Sequence, residues 1–74
     1  MNSSNLAAVM PPFLVKESRI KIQNDYGLNT TEAQTFCAAI IHKKCRAWQQ
    51  WEEGSRKMDI ALYELFLIKT RALK

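Results

Sequence analysis

Seventy-four residues with 47% hydrophobic content make one small folding domain, near the lower size limit for a self-sufficient core, and exclude a disordered tail. Eleven Lys and Arg against seven Asp and Glu leave a net charge of +4, a weak bias toward a polyanionic partner that matters only where the cations cluster. Cys37 and Cys45, with a lone His and no Cys-x-x-Cys pair, argue for two reduced thiols packed as small hydrophobes and against a disulfide framework or a metal site.

Residues 1–12 read as a flexible leader, Asn-Ser-Ser-Asn followed by a brief apolar patch. The apolar run over 6–15 is cut by Pro11-Pro12 and has no preceding positive charge, so neither a signal peptide nor a membrane span is expected, and the expected compartment is the cytoplasm. Pro12 suits the first turn of a helix predicted over about 13–25, with Gly27 as its stop after Tyr26. Val15, Ile22 and Tyr26 share one side of it, flanked by Ile20, although the Ile20-Lys21-Ile22 alternation is also strand-like.

Asn29-Thr30-Thr31-Glu32 is a helix start. Asn29 with Glu32, or Thr31 with Gln34, has capping-box spacing. The helix predicted over about 31–41 carries Ala33, Phe36, Cys37, Ile40 and Ile41 on its inner side, and apolar periodicity continues through Ala47, Trp48 and Trp51. Two readings follow. Residues 31–53 form one long amphipathic helix, or the chain turns near His42-Lys43-Lys44 into a second short helix over about 44–53. Lys44 favours the turn, because a continuous helix would put its ammonium in the middle of the apolar face.

The short helix would be two-sided, with Trp48 and Trp51 on one side and Arg46, Gln49, Gln50 and Glu53 on the other. Arg is suited to guanine O6 and N7 and Gln to adenine N6 and N7, so this outer face has the chemistry of a helix that reads base edges in the major groove of duplex DNA. The run His42-Lys43-Lys44-Cys45-Arg46 and the pair Arg56-Lys57 place cations at both of its ends, where phosphates would lie. Glu52 reaches Arg56 at i+4 and can orient it.

Asp59 caps a last helix predicted over about 59–72. Met58, Ala61, Leu62, Leu65, Phe66, Ala72 and Leu73 line one side of it, and Ile60, Tyr63 and Leu67 are apolar on the other. A helix apolar nearly all round is buried or shared with another chain. Ile60, Tyr63 and Leu67 are therefore the expected homodimer contact.

Taken together, Gly27-Leu28, Thr31-Glu32-Ala33, Ile41-His42, the run from Arg46-Ala47-Trp48-Gln49-Gln50-Trp51-Glu52-Glu53-Gly54 to Ser55-Arg56-Lys57-Met58, and Glu64-Leu65-Phe66 resemble the phage-repressor (Cro-type) helix-turn-helix family, compact phage and plasmid regulators. The resemblance covers roughly residues 19–71, and its most specific part is Trp48-x-x-Trp51-Glu52-x-Gly54-x-Arg56. It implies an all-α domain of four to five short helices, the second and third forming the helix-turn-helix motif, and a dimer presenting two copies about one DNA turn apart. Position by position it implies Trp48 and Trp51 as buried anchors, base contacts from Cys45, Arg46, Gln49 and Gln50, and backbone contacts from Arg56 and Lys57, with Lys43 and Lys44 added by the basic cluster. The chain departs from the family at the turn, where His42-Lys43 replace a small or Gly residue and an apolar one, and at the start of the third helix, where Lys44 replaces the usual Ser or Thr cap.

The expected function is a dimeric, sequence-specific repressor of a mobile element, acting on double-stranded DNA without cofactor or metal. The alternative is a helical interaction module that works through its apolar last helix and never touches DNA. No nucleophile–base pair, metal-ligand cluster or phosphate loop suggests an enzyme.

Overall fold

The computed structural model describes residues 9–73, and these form a small, mostly α-helical domain. Its elements are β1 (Val9–Met10), α1 (Pro12–Tyr26), α2 (Thr30–Ile40), α3 (Cys45–Glu53), β2 (Met58–Asp59) and α4 (Ile60–Ala72). The helix ends fall within one residue of the predicted ones.

The leader expected over residues 1–12 is part of the fold from Val9 onward; residues 1–8 lie outside the described region. β1 pairs antiparallel with β2, Val9 opposite Asp59 and Met10 opposite Met58. The pairing seats both methionines in the core, at 9% and 1% exposure, so the end of the apolar patch expected to belong to a leader is held by its burial against β2. The ribbon thus ties the start of α1 to the start of α4.

In three of these helices a start or stop has a local chemical cause. Pro12 begins α1 without forfeiting an intrahelical bond, and Gly27 ends it at φ 65°, where its own N–H and that of Leu28 both reach the Gln23 carbonyl. Asn29 and Glu32 form the capping box at the head of α2: the Glu32 N–H donates to the Asn29 side chain at 2.8 Å, and the Asn29 N–H donates to Glu32 at 2.9 Å. Asp59 caps α4 by accepting from the Ala61 N–H at 2.7 Å.

Between α2 and α3 the chain turns, which decides against one continuous helix over 31–53. The His42 N–H donates to the Ala39 carbonyl at 3.0 Å and the Lys43 N–H to the Ala38 carbonyl at 2.8 Å. These are the two bonds of a Schellman stop. The stop needs one residue in the left-handed region, and His42 supplies it at φ 60°. A glycine normally takes that place, which is why the departure at His42 left the turn ambiguous from sequence alone. Four residues, 41–44, make the turn of a helix-turn-helix pair.

The core gathers Val15 and Ile22 from α1, Cys37 and Ala38 from α2, Ile41 from the turn that follows it, Ala47, Trp48 and Trp51 from α3, and Phe66 from α4. Trp48 is its centre: fully buried, it stands edge-on to Trp51 at 5.8 Å between centroids and tilts against Phe66 at 5.1 Å. On α1 the predicted face is narrower than expected. Tyr26 is 43% exposed and Ile20 38%, and Tyr26 instead lies over Phe36 of α2 at 5.1 Å.

On α4 the expected sides are rotated. Tyr63 and Leu67 turn inward beside Phe66, and Tyr63 is tied to Ser18 of α1 by a 2.6 Å hydrogen bond between hydroxyls. Of the expected dimer contact Ile60, Tyr63 and Leu67, only Ile60 is exposed, at 36%. The other outward apolar residues of α4 are Ala61, Leu65, Ile68 and Ala72, and Ala61, Leu65 and Ala72 belong to the side expected to be buried. The shift arises because Phe66, the largest apolar side chain of α4, takes the site against Trp48 and so sets which flanks turn in.

Among the described residues no helix is long and apolar enough to cross a membrane, and no group of His, Cys, Asp and Glu is placed to hold a metal ion.

Candidate nucleic-acid interface

α3 is nine residues long and sharply two-sided. Ala47, Trp48 and Trp51 are buried, while Arg46 and Glu53 are exposed and Cys45, Gln49 and Gln50 are half-buried. The helix begins at Lys44, whose side chain makes no capping bond, so the basic residue found in place of Ser or Thr leaves the first turn uncapped. It ends at Gly54, in the left-handed region at φ 85° and close-packed on Pro12 of α1, whose Cγ would lie 3.3 Å from an added Cβ.

A buried ion pair fixes the orientation of this helix. Glu52 of α3 receives the Arg19 guanidinium of α1 in a two-pronged contact, Nε to Oε2 at 2.9 Å and Nη2 to Oε1 at 2.7 Å. Both side chains are nearly sealed from water, at 8% and 9% exposure. The Trp48 indole N–H donates to the same Oε2 at 2.8 Å, and Arg19 Nη1 donates to Gln23 at 2.8 Å. Burial alone would push the Glu52 carboxyl up, but the hydrogen bonds and charge of Arg19, with help from Trp48 and Gln34, hold it below the ordinary carboxylate value. Arg19 is raised in turn by its bond to Glu52. The carboxylate expected to orient Arg56 therefore points the other way, into the α1–α3 joint. Arg19 sits where it does because its spacing from Val15 and Ile22 puts it on the buried side of α1, a clue outweighed by the usual placement of Arg at surfaces.

The polar relay continues to the edge of the outer face. The Gln49 amide donates to the buried Gln34 of α2 at 3.1 Å. Gln49 is thus engaged with its neighbour in the motif and lies on the margin of the outer surface, whereas Arg46 lies at its centre. Gln50 borders the opposite edge. Its carbonyl collects the Gly54 and Arg56 N–H groups, which draws the chain after α3 back along the helix end.

Lys43 and Lys44 are exposed before α3, and Arg56 and Lys57 after it. With Glu52 neutralised inside the joint, Glu53 is the one carboxylate of α3 left on the outer side, against Arg46 on the same helix and two cations at each end. The cations have the exposure that phosphate contacts require, and the half-buried side chains of Cys45, Gln49 and Gln50 present less of themselves to a ligand than Arg46 does.

The cysteines are both free, Cys37 buried and Cys45 half-buried. Burial, and then the nearby Glu52 charge, pushes the Cys37 thiol up to about 12, so it is an inert packing group. Neither a protein-family model nor a curated protein sequence matches this chain.

Proposed function

We propose that the chain is a sequence-specific binder of double-stranded DNA, a transcriptional regulator of the phage-repressor type acting as a dimeric repressor of a mobile element in the cytoplasm. One observation carries the reading: a short helix locked on its inner side by two indoles and a buried ion pair offers Arg46 and Gln50 outward, between exposed cations at Lys43, Lys44, Arg56 and Lys57. Rigid support matters because base discrimination requires donors held in register with base edges. In this reading Arg46 and Gln50 take the bases, Cys45 and Gln49 stand at the margin of the same surface, and the four flanking cations meet phosphates. No catalytic step, cofactor or metal belongs to this reading.

The test is selection from random-sequence duplexes followed by titration of the enriched sequence and a scrambled one. Arg46→Ala and Gln50→Ala should each lose about 1–3 kcal/mol of discrimination between the two duplexes. Lys43→Ala and Arg56→Ala should weaken both duplexes equally and flatten the salt dependence by about one ion each. The reading fails if no sequence is enriched, or if Arg46→Ala and Gln50→Ala keep the wild-type preference and salt slope.

The alternative, a helical interaction module, draws support from the outward apolar residues of α4 and from nothing on α3. Failure of the duplex selection, together with a stable protein complex formed through α4, would favour it.

A further inference from the structure

The outer face of α4 carries an apolar stripe with no partner among the described residues. Ile68 is 63% exposed and Leu65 38%, with exposed Ala61 above and Ala72 below them. Their spacing of four, three and four residues is that of a coiled-coil seam, a strip that faces a second helix along its length. The stripe is also its own complement. Reversed end to end about a point midway between Leu65 and Ile68, it lays Leu65 on Ile68 and Ala61 on Ala72. A two-fold axis at that point generates such an arrangement, and a two-fold interface must be self-complementary in this way.

The charges beside the stripe follow the same symmetry. Glu64 and Arg71 are exposed on one flank. In an antiparallel helix pair, like flanks face each other, so Glu64 meets the same flank of the partner. At a rise of about 1.5 Å per residue, Glu64 and the partner's Arg71 come to within about 3 Å of the same height. The axis repeats the contact, giving two Glu–Arg pairs. Large side chains sit at the centre, alanines at both ends allow close approach, and the antiparallel alignment is the one that brings Glu64 to the partner's Arg71.

We propose that two copies of this chain associate through an antiparallel α4–α4 contact centred on Leu65 and Ile68 and bordered by Glu64–Arg71 pairs. This deepens the two-copy reading above, on which its use in DNA binding rests, but the contact itself is tested without DNA. It replaces Ile60, Tyr63 and Leu67, which mostly face the protomer's own core.

Sedimentation equilibrium of the full chain at micromolar concentration should give a dimer. Ile68→Glu puts a charge on the axis from a position that is already exposed, so it should yield a folded monomer with self-association weakened roughly a hundredfold or more. Glu64→Arg alone, or Arg71→Glu alone, sets like charges against each other and should weaken the dimer about tenfold, and the double variant Glu64→Arg/Arg71→Glu should restore it. A wild-type monomer would overturn the proposal and leave the stripe to another occupant. A dimer indifferent to Ile68→Glu places the contact elsewhere and overturns it too. Dissociation by Ile68→Glu without rescue by the double charge reversal overturns the antiparallel alignment. Arg46→Ala, which tests the DNA reading, should leave the dimer mass unchanged, so the two failures are separable.

Discussion

α3 and α4 are neighbours across the Trp48–Phe66 contact, yet they solve burial in opposite ways. α3 divides its residues cleanly: indoles and alanine inward, Arg46 and Glu53 outward, and a carboxylate at the boundary clamped to α1. α4 hardly divides them, keeping Phe66 inside and leaving Leu65 and Ile68 in solvent. A sharply divided helix is oriented by its own sequence, and its outer face is free to carry polar recognition. An undivided helix takes its orientation from the largest side chain that finds a pocket, and its leftover apolar face asks for a second chain.

The strongest way to break this contrast is at the α1–α3 joint. Glu52→Ala leaves the Arg19 guanidinium buried with Gln23 as its one partner among the described residues and deprives the Trp48 indole of its acceptor. Breaking a buried pair from one side costs about 3–5 kcal/mol, and urea unfolding followed by tryptophan fluorescence should show a loss of that size. A loss below about 1 kcal/mol would mean that indole packing alone orients α3.

The same joint gives a sharper, smaller effect through pH. Glu52 titrates lower in the folded chain than its ordinary value of 4.5, so the unfolded chain binds the proton first. The stabilisation is fully present above that value and is lost as pH falls through the lower folded value. Urea midpoints taken from about pH 7 down to about pH 3 should therefore fall more steeply for the wild type than for Glu52→Gln, which has no proton to gain. Parallel curves would show that the pair contributes nothing that depends on charge. The neighbouring Cys37 thiol moves in the alkaline direction: its folded value is raised from 9.0 to about 12, so any loss it causes falls between those limits as pH rises.

The contrast also accounts for what could be read from residues alone. Helix ends were legible at Pro12, Gly27, Asn29-Glu32, Gly54 and Asp59, because capping and glycine stops are local chemistry. The two faces of α3 were legible for the same reason: the Trp48–Trp51 spacing admits one inner side. The sides of α4 were not, since its apolar residues surround the helix and only the fit of Phe66 against Trp48 selects among them. The burial of Arg19, and that of Gln34 (a capping candidate with Thr31 that the Asn29–Glu32 box displaces), was not legible because it depends on Glu52 and Gln49 arriving from another helix. Pairing of residues 9–10 with 58–59 is a long-range contact of two-residue strands, too short for any periodicity to announce.

The turn between α2 and α3 supplies a gain. His42 holds a left-handed conformation that suits glycine, at a strain of about 1 kcal/mol, offset in part by its 3.2 Å contact with Lys69 of α4. His42→Gly should raise stability by about 0.5–1 kcal/mol, read as a higher Tm, with no change in helix content. A lower Tm would show that the contact to Lys69 outweighs the strain.

The smallest expected effect tests the contrast most directly. If the outer face of α3 carries recognition and no structure, Arg46→Ala should change unfolding free energy by no more than about 0.5 kcal/mol, because the guanidinium is exposed and has no bond to break among the described residues. Gln49→Ala should cost more, since it leaves the buried Gln34 amide without its donor, and losing a hydrogen bond to a buried group costs about 1–3 kcal/mol. Urea titrations of the two variants side by side would order them. An Arg46→Ala loss as large as that of Gln49→Ala would mean that the outer face helps hold the motif together, and its residues would then be explained by stability without any duplex to read.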